Sequence, residues 1–175
     1  MFLGIDQSLT GTGICIIDNN YKILFNQVFS TSTIGVERLF HIELQFLEIL
    51  NNHKIEFAGL EGGAFREVGR IFQLGQLSGI LQLALFKQGI HYIEPAPLQV
   101  KKYIQGDGKS KGKATIMLDI YKKYGEEIRN DNIADAYVIA RMAYDYYNSF
   151  IINKSKESNF LLIMHEHLFV FQKMN

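Results

Sequence analysis

The chain has 175 residues, 47% of them apolar and 21% charged, and its 18 basic and 18 acidic side chains leave no net charge. This is the make-up of one globular domain able to bury its own core, and it excludes a disordered chain or a uniformly basic nucleic-acid binder. A single cysteine rules out an internal disulfide, and no apolar stretch reaches the roughly 20 residues of a membrane span.

The opening apolar run has no basic residues before it, so no signal peptide is expected and a cytoplasmic location is. Three antiparallel strands come first. FLGI (2–5) is the first, TGTG (10–13) supplies a turn, ICII (14–17) is the second, Asp18-Asn19-Asn20 turns again, and KILFNQVFS (22–30) is the third. Cys15 alternates with apolar neighbours and reads as a small core residue. Residues 35–53 predict an amphipathic helix through Leu39, Ile42, Phe46 and Ile49. IEFAGLE (55–61) is a fourth strand, and a long helix follows from about Arg66 to Gln88. Gly75 and Gly79 sit four apart on that helix and would admit a second helix, from the same chain or from a partner copy. HYIE (91–94) is a fifth strand, stopped by Pro95 and Pro97. A short helix, LQVKKYI, leads into the glycine- and lysine-rich loop QGDGKSKGK, and two helices follow at about 114–124 and 131–147. Residues 151–159 read as a polar linker and 160–175 as an apolar extension of unknown role, leaving 1–150 as the main domain.

Three carboxylates carry the chemistry. Asp6 and Glu61 end short apolar strands, and Asp135 lies near the start of an apolar helix. Strand ends and a helix start can converge across long sequence separations. Acids gathered in one place repel each other unless a hard cation binds, and Mg²⁺ or Mn²⁺ is the natural choice for oxygen ligands. Phosphoryl chemistry is the usual work of such a centre.

The element order describes a mixed five-stranded α/β sheet with helices on both faces, and it resembles the ribonuclease-H-like fold. Five ordered blocks resemble the RuvC-type Holliday junction resolvases. FLGIDQSLTGTGICII resembles that family's GIDPGxxxTGxGxI opening, with Gln7-Ser8 in place of Pro-Gly. GLEGGAF resembles its second acidic strand end, LGQLSGIL its LGQxxGxx helix, PLQVKKYIQGDGKSKGKA its QVKxxxxGxGxAxK block with one extra residue before Lys113, and IADAYVIA its final helix. The resemblance covers residues 1–148.

The resemblance implies a homodimer that binds four-way DNA junctions and nicks one strand per subunit, with two Mg²⁺ or Mn²⁺ ions at each site. It implies that Asp6 bridges the ions and that Glu61 and Asp135 hold one each or orient the water. The family carries an acid or histidine three residues before its last aspartate, and here that position is Asn132, which can offer a carbonyl oxygen but no charge. Asp131, one residue earlier, is either the cap of this helix or a replacement ligand. Lys113 matches the lysine after the glycine loop and would stabilise charge on phosphate. Lys101, Lys102, Lys109 and Lys111 would hold the DNA backbone. Phe65 would stack on splayed bases, and Arg66 and Arg70 would face phosphates. Other readings of the same residues are an RNA-processing nuclease of this fold, a junction-binding protein without activity, and, from GIDQSLTGTG, a sugar-kinase-like enzyme. The last requires two lobes and a second phosphate loop, which the chain lacks.

Overall fold

The computed structural model describes the backbone of residues 1–62, 68–106 and 113–154, and their side chains except at 68–70, 113–114 and 151–154. In chain order the elements are β1 (Phe2–Asp6), β2 (Thr12–Ile17), β3 (Ile23–Phe29), α1 (Gly35–Asn52), β4 (Phe57–Leu60), α2 (Val68–Lys87), β5 (Tyr92–Ile93), α3 (Pro97–Gln105), α4 (Lys113–Tyr124) and α5 (Asp131–Lys154). Among the described residues the strands form one sheet in the order β3-β2-β1-β4-β5. β1, β2 and β3 pair antiparallel, whereas β4 runs parallel to β1 and β5 parallel to β4. The mixed five-stranded sheet is therefore the one expected.

Strand alternation divides the sheet into two faces. Leu3 and Ile5 of β1, Ile14 and Ile16 of β2, and Ala58 and Leu60 of β4 point to one side. There they join Ile42, Phe46 and Ile49 of α1 and Leu77, Leu81 and Leu85 of α2 in the main core. The other face is lined by Gly4, Gly13 and Gly59, and α5 lies against it. A side chain built at Gly4 would run into the backbone of Ala136 and Ala140, one at Gly13 into the backbone of Asn132, and one at Gly59 into Ile139. The three glycines therefore let the α5 backbone rest directly on the sheet, crossing β2, β1 and β4 in turn.

Two boundaries differ from the sequence reading. TGTG is not simply a turn: Thr12 and Gly13 already belong to β2, and Gly11 and Gly13 are there because Asn132 packs on both. α5 runs on to Lys154, so residues 151–154 are helical where a linker was expected. Its cap is Asn130, whose side-chain oxygen accepts the Ile133 N–H at 3.1 Å. Asp131 is thus the first helical residue, not the cap. The compact units divide between Tyr144 and Asp145. Within the second, the rings of Tyr146 and Phe150 stack at 6.3 Å. Residues 155–175, which include most of the expected linker and all of the apolar extension, lie outside the described residues.

Cys15 is wholly buried in β2, and burial pushes its thiol well above the usual range, with Glu126 adding to the effect. A core role is the one expected of it. Arg141 is also buried. Its guanidinium lies 3.8 Å from the centre of the Tyr21 ring and 3.5 Å from that of Tyr124, and it donates to the Tyr137 hydroxyl at 2.9 Å. This cation–aromatic stack ties the end of α4 to α5, and so anchors the helix that Lys113 begins.

Candidate active site

Asp6 is the last residue of β1, paired with Gly13 of β2. It shares the parity of Gly4, so it projects to the face that α5 covers. Its side chain is 7% exposed, unusually low for a carboxylate. Glu61 follows β4 directly and shares the parity of Gly59, so it belongs to the same face. Its N–H donates to the Ile5 carbonyl at 2.9 Å, which prolongs the parallel ladder by one bond. The two acids therefore stand at neighbouring strand tips, on one side of the sheet.

α5 brings the remaining candidates to that side. The Asn132 backbone packs on Gly13, the residue opposite Asp6, and its side-chain nitrogen would lie 2.8 Å from a Cβ at Gly11. Asp135 follows three residues later, in the same first turns, and is half-buried. Asp131 is one turn before Asp135. Asp6, Glu61, Asn132 and Asp135 thus share one end of one face. Among the described residues no three acidic, histidine or cysteine side chains close into a ready cation cage. The donor types still fit a hard divalent ion, being carboxylate and amide oxygens at strand tips and a helix start.

A residue that sequence reasoning did not single out completes the picture. The Gln7 side-chain nitrogen donates to the Glu61 carbonyl at 2.5 Å, joining the tips of β1 and β4. Its side-chain oxygen is buried among the described residues without a hydrogen-bond partner. Such an acceptor costs about 1–3 kcal/mol when left unmet. The signal for it was the Gln7-Ser8 pair standing where the resembling motif has Pro-Gly. The loop after Gln7 is held by its own polar groups: the Thr12 hydroxyl donates to the Ser8 carbonyl at 3.0 Å.

The expected DNA contacts are only partly in view. Lys101 is half-buried and Lys102 exposed on α3. Lys123, in the same basic segment, donates to the Ile104 carbonyl and so ties α4 to α3. Phe65, Arg66, Lys109 and Lys111 lie outside the described residues, as do the side chains of Arg70 and Lys113.

On α2, Gly75 and Gly79 have nothing within 4 Å of a built Cβ, so they do not serve packing among the described residues. Phe72, Leu83 and Phe86 of the same helix are 74%, 47% and 78% exposed. With Gln76 and Gly79 they recur at four- and three-residue steps, the spacing of a helix–helix seam.

The family model for crossover junction endodeoxyribonuclease RuvC matches residues 2–142. The chain belongs to this family. A RuvC of Parvibaculum lavamentivorans is 29% identical over 146 residues, covering 79% of this chain and 83% of that protein. The Ehrlichia ruminantium RuvC is 37% identical over 119 residues, covering 62% and 74%. Among solved structures, Thermus thermophilus RuvC in complex with a Holliday junction substrate superposes with a TM-score of 0.72 at 25% identity, over 84% of this chain and 94% of that one. The fold is thus ribonuclease-H-like, and the family's strand cleavage is metal-dependent. The family match ends at residue 142, before the apolar extension. No helix among the described residues is long and apolar enough to cross a membrane.

Proposed function

We propose that the protein is a Holliday junction resolvase, an endodeoxyribonuclease that nicks four-way DNA junctions as a homodimer in the cytoplasm, through a nuclease domain spanning residues 1–150. The observation that carries this reading is the common face and common end of Asp6, Glu61 and Asp135 in a chain of the RuvC family. The catalytic group is Asp6, Glu61, Asp135, Asn132 and Lys113, with Asp131 as an additional ligand.

A pair of Mg²⁺ or Mn²⁺ ions, when bound, supplies Lewis acidity and an activated water at neutral pH. Asp6 would serve as the ligand shared by both ions. Glu61 and Asp135 would hold one ion each or orient the attacking water. Asn132 contributes a neutral oxygen. Lys113, the first residue of α4, would stabilise charge developing on the phosphate. Lys101, Lys102, Lys109 and Lys111 with Arg66 and Arg70 hold the phosphate backbone, which positions the duplex arms without reading bases. Phe65 stacks on an unpaired base at the branch point.

The exposed stripe on α2 is the dimer seam, because paired nicks require two sites related by a two-fold axis. A non-catalytic junction binder is the second reading, and Asn132 is what favours it. An RNA-processing nuclease of the same fold would carry identical acids.

The deciding experiment is strand nicking of a mobile four-way DNA junction with Mg²⁺ or Mn²⁺, beside duplex RNA, with Asp6→Asn as control. The resolvase reading expects paired nicks on the junction, little RNA cleavage and loss of activity in the control. Tight junction binding with no nicks under either ion would establish the scaffold instead.

A further inference from the structure

We propose that Gln7 is a positioning residue of this site, joining the tips of β1 and β4 and offering its side-chain oxygen to the water shell of a cation held by Asp6 and Glu61. The inference rests on the reading of Asp6 and Glu61 as cation ligands and goes beyond it to a residue that the family motif does not supply.

The last main-chain bond between the two strands is from the Glu61 N–H to the Ile5 carbonyl, at 2.9 Å. Beyond it the Glu61 carbonyl meets the Gln7 side-chain nitrogen, at 2.5 Å. One side chain, adjacent in sequence to Asp6, thus sets the spacing between the two carboxylate-bearing tips. The amide has one sensible orientation. Turned over, its oxygen would oppose the Glu61 carbonyl oxygen, two acceptors face to face. With the nitrogen so engaged, the oxygen is left buried and without a partner among the described residues, on a residue only 9% exposed.

Buried acceptors are nearly always met, and one that is not calls for a donor that arrives with the ligand. Water bound to a divalent cation is such a donor, since the ion polarises its O–H bonds. Partners one layer out from a metal orient its ligands and waters, and losing them typically weakens metal binding by about 10–100-fold. The proline found here in the resembling motif has neither an amide donor nor a side-chain oxygen, so this arrangement distinguishes the chain from that pattern.

The test uses the full-length protein, with free Mn²⁺ counted by electron paramagnetic resonance in the absence of DNA and with thermal melting recorded alongside. Gln7→Met keeps the length of the side chain and loses both polar groups. Gln7→Glu keeps an oxygen acceptor, adds charge and loses the donor to Glu61. Gln7→Met is expected to weaken Mn²⁺ binding by about tenfold or more, whereas Gln7→Glu holds the ion at least as tightly as the parent. Both lose the tie between strand tips and melt at lower temperature. Parent-like Mn²⁺ affinity in Gln7→Met overturns the proposal. So does an equal loss in both variants, which would make Gln7 a strand staple and nothing more. If Gln7→Met does not fold, Gln7→Pro, the residue of the resembling motif, takes its place with the same expectation. Asp6→Asn is the separate control: if it binds Mn²⁺ as the parent does, the assignment of the carboxylates fails, and the role of Gln7 fails with it.

Discussion

Gly13→Ala is the sharpest probe of how packing and chemistry are joined in this protein. The added Cβ would lie 2.6 Å from the Asn132 carbonyl carbon, and ordinary contact begins at 3.4 Å. The obstacle is backbone in the first turn of α5, so no rotamer change relieves it. The carbonyl oxygen lies closer still, so the first turn of α5 must move off the sheet by about 1 Å or more, and displacements of that size at reacting groups cost on the order of 10²-fold in rate. Overpacking of this kind destabilises by about 1–3 kcal/mol, which lowers the melting temperature by about 2–12 °C for a chain of this size. The assay is single-turnover nicking of a four-way junction below the melting transition, with junction affinity measured separately in Ca²⁺. The expected result is a rate loss on the order of 10²-fold with junction affinity nearly unchanged, because Lys101 and Lys102 are on α3 and are not displaced. Gly13→Ala with parent-like nicking and melting would refute the claim that α5 delivers Asp135 through this contact.

Other outcomes follow from the same geometry. Asn132→Asp should raise Mg²⁺-dependent nicking by at least about tenfold, or about 1.4 kcal/mol of barrier; equal rates in both forms would favour Asp131 as the fourth ligand. Phe86→Lys should shift the protein from dimer to monomer in sedimentation and abolish paired nicks, whereas an unchanged dimer would move the seam away from α2. The Cys15 thiol is raised from its ordinary value of 9.0 by burial. The unfolded chain therefore loses this proton first as pH climbs past about 9, and the folded state loses stability at up to about 1.4 kcal/mol per pH unit. Cys15→Ala should flatten that alkaline fall in melting temperature, and an unaltered slope would assign it to Tyr137 and other groups.

The sheet was legible in the sequence because its signals are local. Ile14 and Ile16 alternate with residues of the opposite face, and Asp6 and Glu61 each stop an apolar run, so strand, face and tip could be read directly. Ile42, Phe46 and Ile49 likewise gave α1 its buried stripe. The TGTG segment misled because glycine and threonine favour turns, while Gly11 and Gly13 answer to Asn132, more than a hundred residues away. Nothing local encodes that contact. The length of α5 was underestimated because Tyr146, Tyr147, Asn148 and Ser149 are mediocre helix formers with no core stripe to announce continuation. Gln7 escaped notice for a similar reason: a glutamine after a strand-end aspartate acquires meaning only once β4 is known to lie beside β1.

The fold and the site depend on the same device. A helix on a sheet ordinarily stands off by the thickness of the side chains between them, and a carboxylate on that helix would then be held far from carboxylates at the strand tips. Gly4, Gly13 and Gly59 remove that layer along the path of α5, so the first turn of the helix rests on Gly13, the residue paired with Asp6 at the tip of β1. The closeness that brings Asp135 toward Asp6 also desolvates Asp6, and each added anion there raises the repulsion in the absence of a cation. Asn132 lies directly on the sheet, with its backbone on Gly13 and its side-chain amide beside Gly11. In the proposed cation site, a neutral side chain at that point would lower the repulsion among the acids without a cation and weaken the hold on the ion. The resembling motif, with an acid there, strikes the opposite balance.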